Sequence, residues 1–203
     1  MTVSDRDTPT DLERTGPATC SPERLPGGDL DIWVMVLGDL FFFGCYLIVY
    51  MVFRDRSLEQ FTAAQRHLNM SIGVTNTVVL LTSSMFIASA VQAVRRGAPR
   101  TSQRLVRAAG ACGVVFIVLK GFEWHQEVTH GYTVIDEFFS FYFVLTGIHL
   151  AHLALGLLIL GVVDRELSST HRQRPSLVEQ GATFWHMIDL LWVVIFAILY
   201  CMR

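Results

Sequence analysis

Hydrophobic and polar residues fall in long blocks along this chain, and the blocks predict helices that cross a membrane. Five apolar runs stand out: Ile32 to Phe53, interrupted only by Asp39; about Ile72 to Val94, with no charge; about Val106 to Phe122; Phe138 to Val163; and about Ala182 to Met202. At about 1.5 Å per helical residue, all but the third have the length needed to cross a bilayer core of about 30 Å. The third is the weakest, because Arg107 and Lys120 flank a short apolar centre and must reach the interfaces along their aliphatic stems. The fourth, FFSFYFVLTGIHLAHLALGLLILGVV, is the most informative: it has no Asp, Glu, Lys or Arg, yet carries His149 and His152. Three residues apart, these two share a helix face, and that face must meet protein rather than lipid. The best partner is the last run, FWHMIDLLWVVIFAILY, where His186 and Asp189 repeat the spacing.

The predicted fold is therefore all-α: an integral membrane bundle of five helices over residues 31–203, preceded by a disordered polar tail over residues 1–30. Composition agrees. The 203 residues are 52% hydrophobic and include 14 Phe, which a soluble domain of this size would rarely match. Net charge is −2, which gives no reason to expect nucleic acid as a partner. The tail lacks the apolar core of a signal peptide. Cys20, Cys45, Cys112 and Cys201 form no CxxC or metal-ligand spacing, so a disulfide framework is not expected.

Loop charge orients the bundle. The tail (Arg6, Arg14, Arg24), the second loop (Arg95, Arg96, Arg100, Arg104, Arg107) and the fourth loop (Arg165, Arg172, Arg174) hold eleven of the sixteen basic residues. The positive-inside rule then puts the N-terminus in the cytoplasm and the C-terminus outside. The stretch from Glu123 to Glu137, acidic and rich in histidine, suits an outer loop, and Gly97, Pro99 and Pro175 mark other loops. Within the spans, Gly38, Gly44, Ser83, Ser84, Gly147, Ala151 and Gly156 offer sites for close helix approach.

Depth along each helix sorts the polar groups. Counted from the cytoplasmic ends, Asp39 and Asp189 lie about 10 Å in, His186 about 6 Å, His152 about 16 Å and His149 about 21 Å. This gives an inner layer (Asp39, His186, Asp189) and a central one (His149, His152), with Lys120 and Glu123 as an ion pair near the outer face. Asp39 reads either as a satisfied structural carboxylate or as a proton-exchanging one. The histidines read either as interhelical hydrogen-bond partners or as metal or haem ligands, and HxxH alone lacks a third and fourth ligand at matched depth. Trp33, Trp185 and Trp192 read as interface anchors or core fillers. No phosphate loop or Ser-His-Asp set is present.

Several stretches together resemble subunit III of the haem-copper respiratory oxidases. They are LGDLFFFG with Asp39 at the family's buried carboxylate, NTVVLLTSS, KGFEWHQEV with its Glu-aromatic pattern, TGIHLAHLALG, and the closing FWHMIDLLWVVIFAILY. The resemblance spans about Asp31 to Tyr200. It implies a five-helix, cofactor-free membrane subunit that stabilises the catalytic subunit, holds phospholipid in a cleft and assists oxygen access and proton entry. Haem and copper are then expected in the partner subunit I, alongside subunit II, in a bacterial inner membrane. The chain departs from the common pattern in lacking two further N-terminal helices, in carrying Asp39 where many members have Glu, and in carrying Lys120 where many have Gln. Lys120, QRHLNMSIGVTNTVVLLTSS and DLDIWVMVLGDLFFFG are also similar to the branch of nitric-oxide-reductase accessory proteins. Two other classes stay open: a b-type haem protein using His149 or His152 with His186, and a self-contained proton carrier using Asp39 and Asp189.

Overall fold

A computed structural model of the chain describes residues 27–65, 68–129, 137–168 and 175–202. The described residues form six α-helices: α1 (Gly27–Arg56), α2 (Leu58–Gln65), α3 (Met70–Arg95), α4 (Pro99–Thr129), α5 (Glu137–Ser168) and α6 (Pro175–Phe196). The chain continues from α6 into a π-helix, Ala197–Cys201. Five of these helices (all but α2) are long and apolar enough to cross a membrane. Successive spans run antiparallel. The ends of α1 and α6 from which their chains enter therefore lie on one side of the bundle, and their carboxyl ends on the other.

Helices α3, α4, α5 and α6 form a four-helix ring in which α3 and α5 each pack on α4 and α6. α1 lies outside the ring, against α6, and reaches α5 through Tyr46, Tyr50 and Phe53, whose rings meet Phe141. Outward positions remain apolar: Phe41, Met85, Val118 and Leu158 are all exposed, as side chains facing acyl chains must be. α1 is the least enclosed span and α6 the most.

Local sequence explains the turns. α3 starts on Asn69, whose side chain accepts from the Ser71 amide at 3.1 Å. It ends in a glycine cap: Gly97 has φ +73°, its amide donates to Val94, and the Ala98 amide donates to Ala93, both at 2.9 Å. A left-handed glycine two residues beyond the last helical turn closes the helix in this way. Pro99 and Pro175 do not mark loops; each is the first residue of a helix, where proline's missing N–H costs nothing.

The third span differs most from its sequence reading. α4 runs 31 residues, against an apolar run of about half that. It takes in Arg100, Arg104 and Arg107 at one end and Glu123 to Thr129 at the other, so those stretches are helix and not loop. Residues 130–136, the remainder of the expected outer loop, lie outside the described residues, as does the tail up to residue 26. Charged ends suit a helix when neighbours pair them: Arg107 Nε is 2.8 Å from Asp164 on α5, and Arg95 Nε is 2.8 Å from Glu179 on α6. Both pairs are exposed and add little stability by themselves.

Trp185 ties the ring together. Its indole is fully buried and donates to Ser83 Oγ on α3 at 3.0 Å. Ser83 in turn donates to the Ala109 carbonyl on α4 at 3.0 Å. The indole fits only because two facing residues lack a side chain. A Cβ on Gly113 would stand 2.9 Å from Trp185, and one on Gly156 would stand 2.8 Å from Ile188 and 3.1 Å from Trp185. Gly38 and Gly44, read from the sequence as contact points, have no atom within 4 Å of such a Cβ, because α1 turns that side away from the ring. Overpacking a close interface costs about 1–3 kcal/mol. Gly113→Ala and Gly156→Ala should each lower stability by about that amount in a denaturation assay in detergent or bicelles, while Gly38→Ala should leave it unchanged.

Candidate functional site

Lys120 is the only lysine in the chain, and it is fully buried. An ammonium at membrane depth must give all three of its protons to acceptors. Lys120 does: Nζ donates to Glu123 Oε2 at 2.8 Å, to Tyr200 Oη at 2.8 Å and to Tyr142 Oη at 3.0 Å. Tyr200 Oη donates to the other Glu123 oxygen at 2.5 Å. The ammonium also lies 4.7 Å from the Tyr142 ring centroid and 5.1 Å from that of Trp192, a cation–π arrangement. The group joins α4, α5 and the π-helix. The expectation that Lys120 reaches an interface along its stem does not hold, because partners 22 and 80 residues away enclose it where it stands. Removing one member of such a buried pair costs about 3–5 kcal/mol, since the other is left uncompensated.

The π-helix makes this closure possible. Its wider turn, marked by the Met202 amide donating to Ala197 O at 3.2 Å, sets Tyr200 against α3. The Tyr200 ring lies where a Cβ on Gly73 would approach to 2.9 Å. Trp192, one level deeper, donates to Thr77 Oγ1 at 3.1 Å. Trp185 and Trp192 are thus core residues, whereas Trp33 is exposed.

The paired histidines of the fourth span go to different neighbours. His149 is fully buried and held by rings: Trp192 at 5.2 Å and Phe116 at 5.7 Å between centroids. Neither of its nitrogens meets a hydrogen-bond partner among the described residues. His152 places Nδ1 2.8 Å from its own Ile148 carbonyl and Nε2 3.4 Å from Asp39 Oδ2 on α1. With Nδ1 donating to the carbonyl, Nε2 and the carboxylate are two acceptors facing each other, so the contact is favourable only when a proton sits between them. The pair is not enclosed: the His152 and Asp39 side chains are 22% and 25% exposed in this chain.

His186 lies beside Ser84, with Nδ1 2.6 Å from Oγ. Asp189 is nearly buried, and neither of its oxygens has a hydrogen-bond donor among the described residues. Ser84 lies alongside it but is engaged with His186. The two expected layers meet at one point: Asp39, assigned with His186 and Asp189, contacts His152 of the central layer. Among the described residues no three His, Cys, Asp or Glu side chains are grouped to hold a metal ion, and Cys45, Cys112 and Cys201 are free thiols.

At the opposite end of the bundle from Lys120, a cleft of about 420 Å³ opens between α1, α3 and α6. Ile32 and Trp33 form one wall, and Gln92, Arg95, Glu179, Thr183 and His186 supply polar groups. Sequence reasoning named His186, and the resemblance implied a cleft without its lining; Tyr142, Tyr200 and Gln65 were not named as polar-site residues. The available signal was the lone lysine: a cation inside an apolar helix demands acceptors, and tyrosines on neighbouring spans are the natural ones.

Comparison with known proteins places this arrangement. The profile of the family described as cytochrome c oxidase subunit III matches residues 29–203. The chain is 27% identical to cytochrome c oxidase subunit 3 of Thermostichus vulcanus, over 84% of this chain and 85% of that one. It is 33% identical to cytochrome c oxidase subunit 3 of Synechocystis, over 62% of this chain and 54% of that one. It is also 24% identical to the heme-copper oxidase subunit I+III of Aeropyrum pernix, over 83% of this chain and 22% of that longer one. The match runs through all five spans and takes in every polar group described above, and on that ground the chain belongs to the cytochrome c oxidase subunit III family.

Proposed function

We propose that this chain is the non-catalytic subunit III of a haem-copper terminal oxidase of the cytochrome c oxidase type. It stands in a bacterial inner membrane with its N-terminus in the cytoplasm and its C-terminus outside, a reading that the arginine distribution supports. Haem and copper belong to the partner, subunit I, with subunit II completing the complex. The observation that carries the reading is the Asp39–His152 pair. An ionisable pair left partly open at membrane depth calls for a protein neighbour, because lipid supplies no hydrogen bonds. The Aeropyrum pernix relative, whose name joins subunits I and III, supports subunit I as that neighbour.

Two contributions belong to this reading. The cleft between α1, α3 and α6 combines apolar walls with Arg95, Gln92 and His186 at its rim, which suits a phospholipid with its headgroup on the polar side. Such a lipid would fill the gap that α1 leaves and stiffen the subunit against its partner. The Asp39–His152 pair, 3.4 Å apart and open on one side, is the point at which this chain would assist proton entry to the partner. The relatives carry oxidase names, which favours this reading over an accessory protein of nitric oxide reductase.

Affinity purification of the tagged chain from its native membranes tests the assignment. A haem-bearing catalytic subunit with oxygen-reducing activity is the expected companion; a nitric-oxide-reducing one, or none, would reverse it. Asp39→Asn tests the proton role within that complex. The variant should assemble normally but lose activity sooner during sustained turnover. Equal assembly and an equal active lifetime would remove Asp39 from proton supply.

A further inference from the structure

The carboxyl end of the π-helix is capped only in part by its own residues: the Met202 amide serves Ala197 O, and the Ile198, Leu199 and Met202 carbonyls bond to α1 and α2. A helix end leaves its final carbonyls without partners, and at membrane depth these must be satisfied by protein. Here the remaining partners come from the other end of the sequence. Gln65, fully buried at the end of α2, directs Nε2 to the Ile198 carbonyl at 3.3 Å and the Leu199 carbonyl at 3.2 Å. The same nitrogen is 3.2 Å from Tyr50 Oη on α1. Arg54, in the last turn of α1, donates to the Met202 carbonyl at 2.7 Å. A guanidinium at a helix carboxyl end also opposes the negative pole of its dipole.

Beside this cap stands an aromatic bearing. Phe141 on α5 meets Tyr46, Tyr50, Phe53 and Phe61. All four belong to α1 and α2. The carboxyl half of α1 is thus fixed to the ring twice, by the cap and by Phe141. The other half has fewer ties: Val36 and Phe43 are buried, Trp33, Val34, Leu37, Phe41 and Phe42 are exposed, and among the described residues it meets the ring at His152, through the Phe43 ring and the Asp39 contact at 3.4 Å. This loosely held half supplies Ile32 and Trp33, the α1 wall of the cleft.

We propose that α1 and α2 form a hinged arm: the Gln65–Arg54 cap clips it to the π-helix, Phe141 is its pivot, and its swing sets the width of the cleft against α3 and α6. Trp33 lies 17 residues from Tyr50 at the pivot, so a rotation of about 10° there moves Trp33 by about 4 Å along an arc of about 26 Å radius. The four-helix ring does not move with it, because Trp185 and the Lys120 group close that ring without help from α1. The π-helix serves both parts: it gives Tyr200 to the ring and its carbonyls to the arm. Hinges of this kind sit at element ends, where few residues absorb the change.

The test uses the full chain in lipid nanodiscs, with the four native cysteines changed to serine. Spin labels at Leu37→Cys on α1 and Met85→Cys on α3 report the arm, and labels at Met85→Cys and Leu158→Cys on α5 report the ring. Gln65→Leu should shift the arm distance and broaden its distribution while the ring distance stays fixed. Arg54→Leu, at the exposed side of the clip, should produce a smaller shift of the same sign. An arm distance unchanged in a folded Gln65→Leu protein, or an arm and ring that shift together, would overturn the proposal. Should Gln65→Leu fail to fold, Arg54→Leu decides: a shift confined to the arm supports the hinge, and no shift rejects it.

Discussion

Lys120 sets the terms for the rest of this structure. A positive charge at membrane depth has no water to turn to, and moving it to the surface would mean dragging apolar helix with it. The fold instead brings it one carboxylate and two phenols. Each of those groups comes with a structural demand. Glu123 lies one turn along on the same helix. Tyr142 requires α5 to stand close to α4. Tyr200 requires the last span to widen into a π-helix so that its ring can cross over Gly73. Once these three are in place, α4, α5 and α6 are fixed relative to one another at that end of the bundle. Trp185 does the same work deeper in, where Gly113, Gly156 and Ser83 make room for it and bond to it.

With the ring closed by its own polar groups, α1 is free to serve another purpose. It contributes little to the core and leaves an ionisable pair partly open. A subunit that packs beside a larger catalytic partner has use for such a helix. It leaves one face open and forms one side of the cleft against α3 and α6. Interhelical hydrogen bonds in membranes contribute about 0.6 kcal/mol each on average. The arm is therefore held by a handful of modest contacts, while the ring is held by an enclosed charge whose loss is far more costly.

Much of this was legible in the sequence, for physical reasons that differ by element. Five spans could be read because lipid enforces long apolar blocks, and helix is the form such blocks take. The extent of α4 could not, because its ends are charged, and the partners of those charges, such as Asp164 on α5 for Arg107 and Tyr200 for Glu123, lie far off in the sequence. The same limit hid the fate of Lys120: reaching for the interface and being enclosed look alike until the neighbours are known. Depth counting put Asp39 and His152 in separate layers, yet their side chains meet, because side chains on facing helices reach across several ångströms of depth. α2 left no signal at all, since LEQFTAAQ has only two large apolar residues, Leu58 and Phe61, the first of them exposed, and its importance rests on Gln65 meeting carbonyls more than 130 residues away.

Because Lys120 is the only lysine, its enclosure can be measured without a substitution. The intact protein in native membranes is treated with a small amine-reactive reagent, and the Lys120-bearing peptide is quantified by mass spectrometry against a denatured control. The account predicts that Lys120 stays unmodified in the folded protein and is modified fully once the chain is unfolded. Modification of folded Lys120 at the rate of an exposed amine would contradict it, for the charge would then be in water and the ring would have to be closed some other way.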